Sequence, residues 1–176
     1  MKHPIRIYVE GDLRLRRGFH KFFGGGERIR VIAGRSGPEA RKDFLAAKAD
    51  HPGSIVLLLV DAEKSLAAAP RDPNAFFMIQ VMESWFLADR ERLGQYFGDG
   101  FKAKALPGSP KQVESIPKRD VLRGLDAATK QCGGGQKQYG LAKAKHGGEL
   151  LSRIRPALVR AASPECERLF QALELP

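Results

Sequence analysis

The sequence has little of several features that define whole classes of protein. It contains only 2 cysteines in 176 residues, Cys132 and Cys166, and their spacing is not CxxC, which excludes a disulfide framework. Its longest aliphatic run, residues 55–60, is far shorter than the roughly 20 apolar residues of a membrane-spanning helix. No apolar signal region follows the first residues. We therefore expect a cytoplasmic protein with reduced thiols and no membrane partner.

Motifs for ATP hydrolysis, zinc binding and covalent catalysis are also missing. Neither glycine-rich stretch, 24–26 or 133–135, leads to Gly-Lys-Ser/Thr, which argues against an ATPase phosphate loop. The 4 histidines are isolated, without HExxH or His/Cys spacing, and we expect His146 to lie in a surface loop. No serine stands in a nucleophile-elbow context. The sequence therefore gives no support for ATP hydrolysis, a zinc site or covalent catalysis.

The charge of the chain is strongly positive, with 30 Lys and Arg against 20 Asp and Glu and a net charge of +10. Such a balance favours a polyanionic partner, most plausibly nucleic acid. Residues 1–60 hold twelve basic and six acidic side chains, residues 61–100 four and seven, and residues 101–176 fourteen and seven. An acidic middle between basic flanks suits a metal-dependent enzyme that acts on phosphodiesters. A solubilising surface charge would give the same totals.

The pattern of apolar residues predicts an α/β fold with a mainly parallel central sheet flanked by helices, and a helical C-terminal part. The length fits a single domain, residues 1–176, with a core of about 1–97 and a loop-rich and helical extension of about 98–176. Strands are predicted at 6–9, 29–33, 55–60 and 76–81. Helices are predicted at 13–23, 37–49, 83–89, 119–130, 149–161 and 164–173.

Acidic side chains stand where three of the predicted strands end. Glu10 ends the first strand, Asp61 the third with Glu63 two residues later, and Glu83 follows the fourth. Because parallel strands deliver their carboxyl ends to the same edge, we expect these carboxylates to meet. Mg²⁺ takes carboxylate oxygens and waters, and needs only one or two protein carboxylates beside a substrate phosphate. Each acid alone could instead be a helix cap or a solvated loop residue.

Two further residues follow the fourth strand. Trp85 is expected to pack in the core or under a lid, in preference to stacking on a nucleic-acid base. Asp89 lies beside Arg90 and Arg92, where a surface ion pair would account for it.

Three segments carry a resemblance to a known family: Val9-Glu10-Gly11, Val60-Asp61-Ala62-Glu63, and Met82-Glu83-Ser84-Trp85-Phe86-Leu87-Ala88-Asp89. Together they resemble an uncharacterised bacterial family of small TOPRIM-like proteins, the domain-of-unknown-function family four-two-seven-six. The similarity covers most of the chain, including the region of Lys118, Tyr139 and His146.

TOPRIM domains are the Mg²⁺-binding modules of topoisomerases, primases and the nucleases related to overcoming-lysogenization-defect proteins. The resemblance implies a compact α/β fold with Glu10 as the glutamate of the first motif and Asp61 and Glu63 as the acidic pair of the second, here Asp-x-Glu in place of the common Asp-x-Asp. Glu83, Trp85 and Asp89 match the small family's own motif, which has no assigned role. The relatives also imply a separate ATPase partner and an association with phage defence.

These observations predict a nuclease-like, metal-dependent phosphodiester hydrolase with one or two Mg²⁺ or Mn²⁺ ions. Its metal ligands would be Glu10, Asp61 and Glu63, with Glu10 as ligand or general acid/base and Glu83 completing the catalytic cluster. The residues expected to hold the nucleic-acid backbone are Lys102, Lys104, Lys111, Lys118, Arg119 and Lys130, with Lys118 also the candidate catalytic cation. Two alternatives stay open: a non-catalytic module that binds nucleic acid or protein, and a nucleotidyl or phosphoryl transferase on a small substrate. The sequence leaves the oligomeric state open.

Overall fold

The computed structural model describes residues 3–62 and 72–175. In this part of the chain the centre of the fold is a four-stranded parallel sheet in the order β2-β1-β3-β4. The predicted α/β class with a parallel sheet is therefore confirmed. The strands are β1 (Ile5–Glu10), β2 (Ile29–Gly34), β3 (Ile55–Asp61) and β4 (Ala75–Met78).

Helices α1 (Leu13–Phe22) and α2 (Gly37–Asp50) lie on opposite faces of this sheet. The Asp12 carboxylate starts α1 by accepting backbone N–H groups of its first turn, and Ser36 with Glu39 starts α2 as a capping box. Because helices cover both faces, β3 is apolar at nearly every position.

The C-terminal part is helical, as predicted, and packs on the α1 side of the sheet. Helix α6 lies against α1, and α8 lies against β4. One hydrophobic cluster extends from Ile5 in β1 to Leu173 after α8. The helices are α3 (Glu83–Phe86), α4 (Arg90–Phe97), α5 (Lys118–Thr129), α6 (Lys143–Leu151), α7 (Pro156–Ala162) and α8 (Pro164–Ala172).

Three predicted elements differ from the structure. The helix expected at 83–89 is α3 followed by a 3-10 helix, Leu87–Asp89. The fourth strand was expected to reach residue 81 but ends at Met78, because the chain turns there to bury Val81 and Met82 in the α1-side core. The single helix expected at 149–161 is wrong: α6 ends at Leu151, and α7 begins at Pro156. Proline has no backbone N–H to continue a helix and is favoured in the first turn of a new one.

The outer edge of β4 is closed by side chains of α8. A carboxylate oxygen of Glu165 accepts the backbone N–H of Phe77 at 3.0 Å, and the Arg168 guanidinium donates to the carbonyl of Ala75 at 2.9 Å. These bonds occupy backbone groups that a further strand would use. At the opposite side of the sheet, β2 is the outer strand.

Two predictions from the sequence concern membrane-spanning helices and the cysteines. Among the helices of the described residues, none is long and apolar enough to cross a membrane. Cys132 and Cys166 are both buried and free, as the reduced-thiol prediction requires.

Candidate functional site

Three of the four predicted acids lie at the carboxyl edge of the sheet. Glu10 ends β1 and Asp61 ends the neighbouring β3, while Glu83 is the first residue of α3, which follows β4. All three side chains are half-buried. The fourth, Glu63, lies outside the described residues.

Asp61 is the centre of this group. One of its carboxylate oxygens accepts the backbone N–H of Met82 at 2.8 Å. Burial and the negative charge of Glu83 raise the pKa of Asp61 most strongly, and Glu10 raises it further, whereas the Met82 hydrogen bond and the positive charge of Lys118 lower it. The outcome is a pKa of about 7. A carboxyl with this pKa releases its proton close to neutral pH, and a cation beside it would favour its charged form.

Glu83 is held by a buried tyrosine from a distant part of the chain. The Tyr139 hydroxyl donates a hydrogen bond to a carboxylate oxygen of Glu83 at 3.0 Å, and Tyr139 itself is anchored through its backbone N–H to the Thr129 hydroxyl at 2.8 Å. Burial and the adjacent charge of Glu83 raise the pKa of Tyr139 well above its ordinary value. The phenol thus stays protonated and remains a donor.

Tyr139 belongs to the site, but sequence reasoning gave it no role. The resemblance covers its region without assigning it a function. The local signal that could have found it is a lone aromatic in the otherwise polar and glycine-rich stretch 131–140. A single buried aromatic in such a stretch indicates that the loop is anchored at that point.

Glu10 lies against the first turn of α2. One of its carboxylate oxygens is 3.2 Å from the position that a Cβ atom at Gly37 would occupy. A larger residue at Gly37 would therefore crowd the carboxylate.

A metal ion at this edge of the sheet would have few protein ligands, with water and substrate completing its coordination. Within residues 3–62 and 72–175, no group of three or more His, Cys, Asp and Glu side chains is arranged to hold a metal ion. The Met82 hydrogen bond occupies one oxygen of Asp61 and leaves the second for a ligand. Mg²⁺ commonly keeps several waters and binds one or two carboxylates together with a substrate phosphate. Asp61 and Glu10 are the residues that such an ion would use, and the metal stays a prediction.

Lys118 is the predicted cation that the structure brings to the acids. It is the first residue of α5, and its charge is close enough to Asp61 to lower the pKa of that carboxyl. Arg119 beside it forms an exposed ion pair with Asp120 at 3.6 Å.

The other predicted nucleic-acid contacts lie elsewhere around α5. The backbone N–H of Lys102 donates a hydrogen bond to the carbonyl of Ala128, which places Lys102 near the end of α5. Lys130 directly follows this end of the helix, whereas Lys118 is its first residue. A helix of 12 residues is about 18 Å long, so the basic residues fall into two groups. Lys104 lies in a short 3-10 helix, and Lys111 lies in a loop. All are exposed.

Trp85 is a core residue, as predicted. Its side chain is fully buried, and its ring lies 5.2 Å from the ring of Phe22 and 6.4 Å from that of Phe19. A base-stacking platform needs an exposed ring face, which Trp85 does not have.

Asp89 is buried, so the surface ion pair expected with Arg90 or Arg92 is wrong. Its carboxylate accepts the Arg155 backbone N–H at 2.9 Å and guanidinium hydrogen bonds at 3.0 and 2.7 Å. Burial raises the pKa of Asp89, but the hydrogen bonds from Arg155 outweigh it and leave the pKa below its ordinary value. Asp89 therefore ties the start of α4 to the turn between α6 and α7.

His146 is also buried, which contradicts the surface-loop prediction. It lies on α6, and its Nδ1 is 2.9 Å from the Tyr96 hydroxyl. Burial lowers the pKa of His146, so its ring is neutral at pH 7. Two glycines interrupt the helical pattern of residues 143–151.

Comparison with protein families identifies the family of this chain. A family model described as "Domain of unknown function (DUF4276)" covers residues 15–174. The chain belongs to the DUF4276 family. The span that matches this DUF4276 model includes Asp61, Glu83 and Tyr139 and begins after Glu10. No curated protein and no solved structure matches the chain.

Proposed function

We propose that this DUF4276 protein is a TOPRIM-like, metal-dependent enzyme that hydrolyses phosphodiester bonds in nucleic acid. The observation that carries the proposal is that Glu10 and Asp61 lie at the carboxyl ends of the neighbouring strands β1 and β3, where burial and the charges of Glu83 and Glu10 raise the pKa of Asp61. Carboxylates crowded in this way are costly to the fold, and strongly shifted pKa values are concentrated at functional sites.

The proposed ligands of a Mg²⁺ or Mn²⁺ ion are Asp61 and Glu10, with Glu63 as the remaining member of the acidic pair. Such an ion, when bound, polarises a phosphoryl oxygen and lowers the pKa of water. Asp61 has to release its proton before it can act as a ligand, so binding becomes tighter as the pH rises through about 7.

The roles of the surrounding residues follow from their contacts. Tyr139 fixes the orientation of Glu83 by donating to its carboxylate, and Glu83 adds negative charge beside Asp61. The positive charge of Lys118 lowers the pKa of Asp61, and this lysine would face the phosphate under attack. Glu10 would serve as ligand or general acid/base.

The test is a cleavage assay on single- and double-stranded DNA and RNA with Mg²⁺ or Mn²⁺. Asp61→Asn and Glu10→Gln should abolish cleavage while preserving the fold. Asp43→Asn, an exposed acid on α2, is the matched control and should cleave normally. Cleavage that is insensitive to both site variants would refute the proposal. Nucleic-acid binding in EDTA without cleavage under any condition would instead favour the non-catalytic module.

The separate ATPase partner and the phage-defence role that the TOPRIM resemblance implies stay predictions. Neither is needed for the cleavage assay, which uses the chain alone.

A further inference from the structure

A basic groove lies outside the set of lysines predicted from the sequence. Its volume is about 930 Å³, and it runs between α1, the start of β2, and α6. We call it the α1–α6 groove. Its cationic lining residues are Arg14, Arg16, Arg17, Lys21, Arg30 and Lys145.

The positive charge of the α1–α6 groove is not balanced from within the described chain. None of these six cations forms an ion pair with a residue in 3–62 or 72–175. The acidic residue that lines the groove, Glu149, is itself 3.4 Å from the guanidinium of Arg153. A concave surface lined by charge of one sign concentrates its field and attracts the opposite charge.

Glycines allow α1 and α6, which form two walls of the groove, to approach each other closely. A Cβ atom at Gly18 of α1 would lie 2.6 Å from the Gly148 carbonyl oxygen, and a Cβ at Gly148 would lie 2.7 Å from the Arg14 carbonyl oxygen. Only glycine allows such contact between helix backbones. The two helices therefore cross closely, and this sets Lys145 of α6 across from the cations of α1.

One end of the α1–α6 groove lies close to the acidic residues at the carboxyl edge of the sheet. Helix α1 has 10 residues and is about 15 Å long. Arg14 lies in its first turn, four residues after Glu10, and Lys21 lies in its last turn. The row of cations thus starts beside the carboxyl edge of the sheet and leads away from it.

We propose that the α1–α6 groove binds the sugar–phosphate backbone of a nucleic-acid strand. Each DNA strand presents a phosphate about every 3.4 Å along a duplex, so about four phosphates span the length of α1. Six cations over that distance exceed what one small anion needs. A flat membrane surface cannot reach both walls of a concave groove. A bound strand that continues to the acidic edge would be positioned for cleavage, and this last step rests on the proposed function.

The test is fluorescence anisotropy with labelled single- and double-stranded oligonucleotides in EDTA, over a range of salt concentrations. The groove variant is Arg14→Ala/Arg17→Ala, and the matched control is Arg41→Ala/Lys42→Ala on α2, which lies on the other face of the sheet. Both double variants remove two exposed charges from one helix.

The groove variant should lose about tenfold in affinity near 0.1 M salt for each phosphate contact removed, and its salt slope should fall by about 0.7–0.9 per contact. The control should change little, and thermal unfolding should show both variants folded. Lys145→Glu should weaken binding from the opposite wall.

Equal losses in the groove and control variants would overturn the inference, because they would indicate net charge alone. It would also be overturned by a loss confined to a Lys102→Ala/Lys104→Ala variant, by absence of binding, or by anionic vesicles that bind with the same dependence on Arg14 and Arg17. Because EDTA removes divalent ions, failed cleavage would leave this result standing. Cleavage that persists unchanged in the groove variant while binding is unaffected would refute the groove and keep the proposed function.

Discussion

Replacing Asp61 with asparagine should stabilise the protein at pH 8. Asparagine keeps an oxygen that can accept the Met82 N–H, and it removes the negative charge that burial and Glu83 disfavour. Between pH 3.8 and about 7, folded Asp61 holds a proton that the unfolded chain has released. The free energy of unfolding of the wild type therefore falls as the pH rises through this window.

The size of the effect follows from the shift in pKa. A rise from 3.8 to about 7 corresponds to a loss of about 4 kcal/mol once the pH exceeds both values. We expect a gain of about 2–4 kcal/mol for Asp61→Asn at pH 8, because an amide fits the site less well than a protonated carboxyl. Near pH 4 Asp61→Asn should be at most as stable as the wild type, because only the poorer fit of the amide remains.

The assay is urea unfolding of both proteins at several pH values from 4 to 8. The difference between them reports Asp61 together with the charges coupled to it, chiefly Glu83, since titrating groups away from this site contribute equally to both. Asp43→Asn serves as control and should show no pH-dependent difference from the wild type. If Asp61→Asn is no more stable than the wild type at pH 8, or if the difference does not grow with pH, the reasoning about Asp61 is refuted.

Three further predictions concern the metal, a buried ion pair and a helix crossing. Mn²⁺ or Mg²⁺ at about 100 times its dissociation constant should add about 2.7 kcal/mol to the wild type at pH 8, seen as a thermal shift of about 5–10 °C, and nothing to Asp61→Asn; equal shifts would exclude Asp61 as a ligand. Asp89→Asn should cost about 2–4 kcal/mol in urea unfolding, because it leaves the Arg155 hydrogen bonds incomplete, and a loss under about 0.5 kcal/mol would contradict this. Gly148→Ala should lower the melting temperature, because its Cβ would meet the α1 backbone, whereas Gly26→Ala, with open space around it, should not; equal effects would refute the close crossing.

The sheet and its acidic edge could be predicted because they depend on local patterns. Residues 55–60 are apolar without alternation, which is typical of a strand covered on both faces. Short connections between strands and helices then imply parallel strands, and parallel strands bring their carboxyl ends to one edge. The positions of Glu10 and Asp61 follow from this reasoning.

The rest of the site depends on contacts between distant segments. Tyr139 meets Glu83 across 56 residues, and Arg155 meets Asp89 across 66. Periodicity reports which face of a helix is buried but not which segment covers it. The surface pair expected for Asp89 failed for this reason, since its neighbours in sequence are not its partners in space.

The α1–α6 groove shows that charge counts along the sequence do not reveal which cations are neighbours in space. Counting along the chain found an excess of cations in residues 1–60 and in residues 101–176. It could not indicate that Arg14 and Lys145, from the two flanks, line one groove. The close crossing of α1 and α6 makes that pairing, and it depends on glycines whose role is visible only in the folded chain.

The hydrogen bonds that Glu165 and Arg168 make to β4 have a consequence for how this protein can associate. With that edge occupied by its own side chains, a peptide strand or a second copy that extends the described sheet has to pair with β2. The start of β2 also lines the α1–α6 groove. Strand addition at β2 would therefore take place next to the α1–α6 groove.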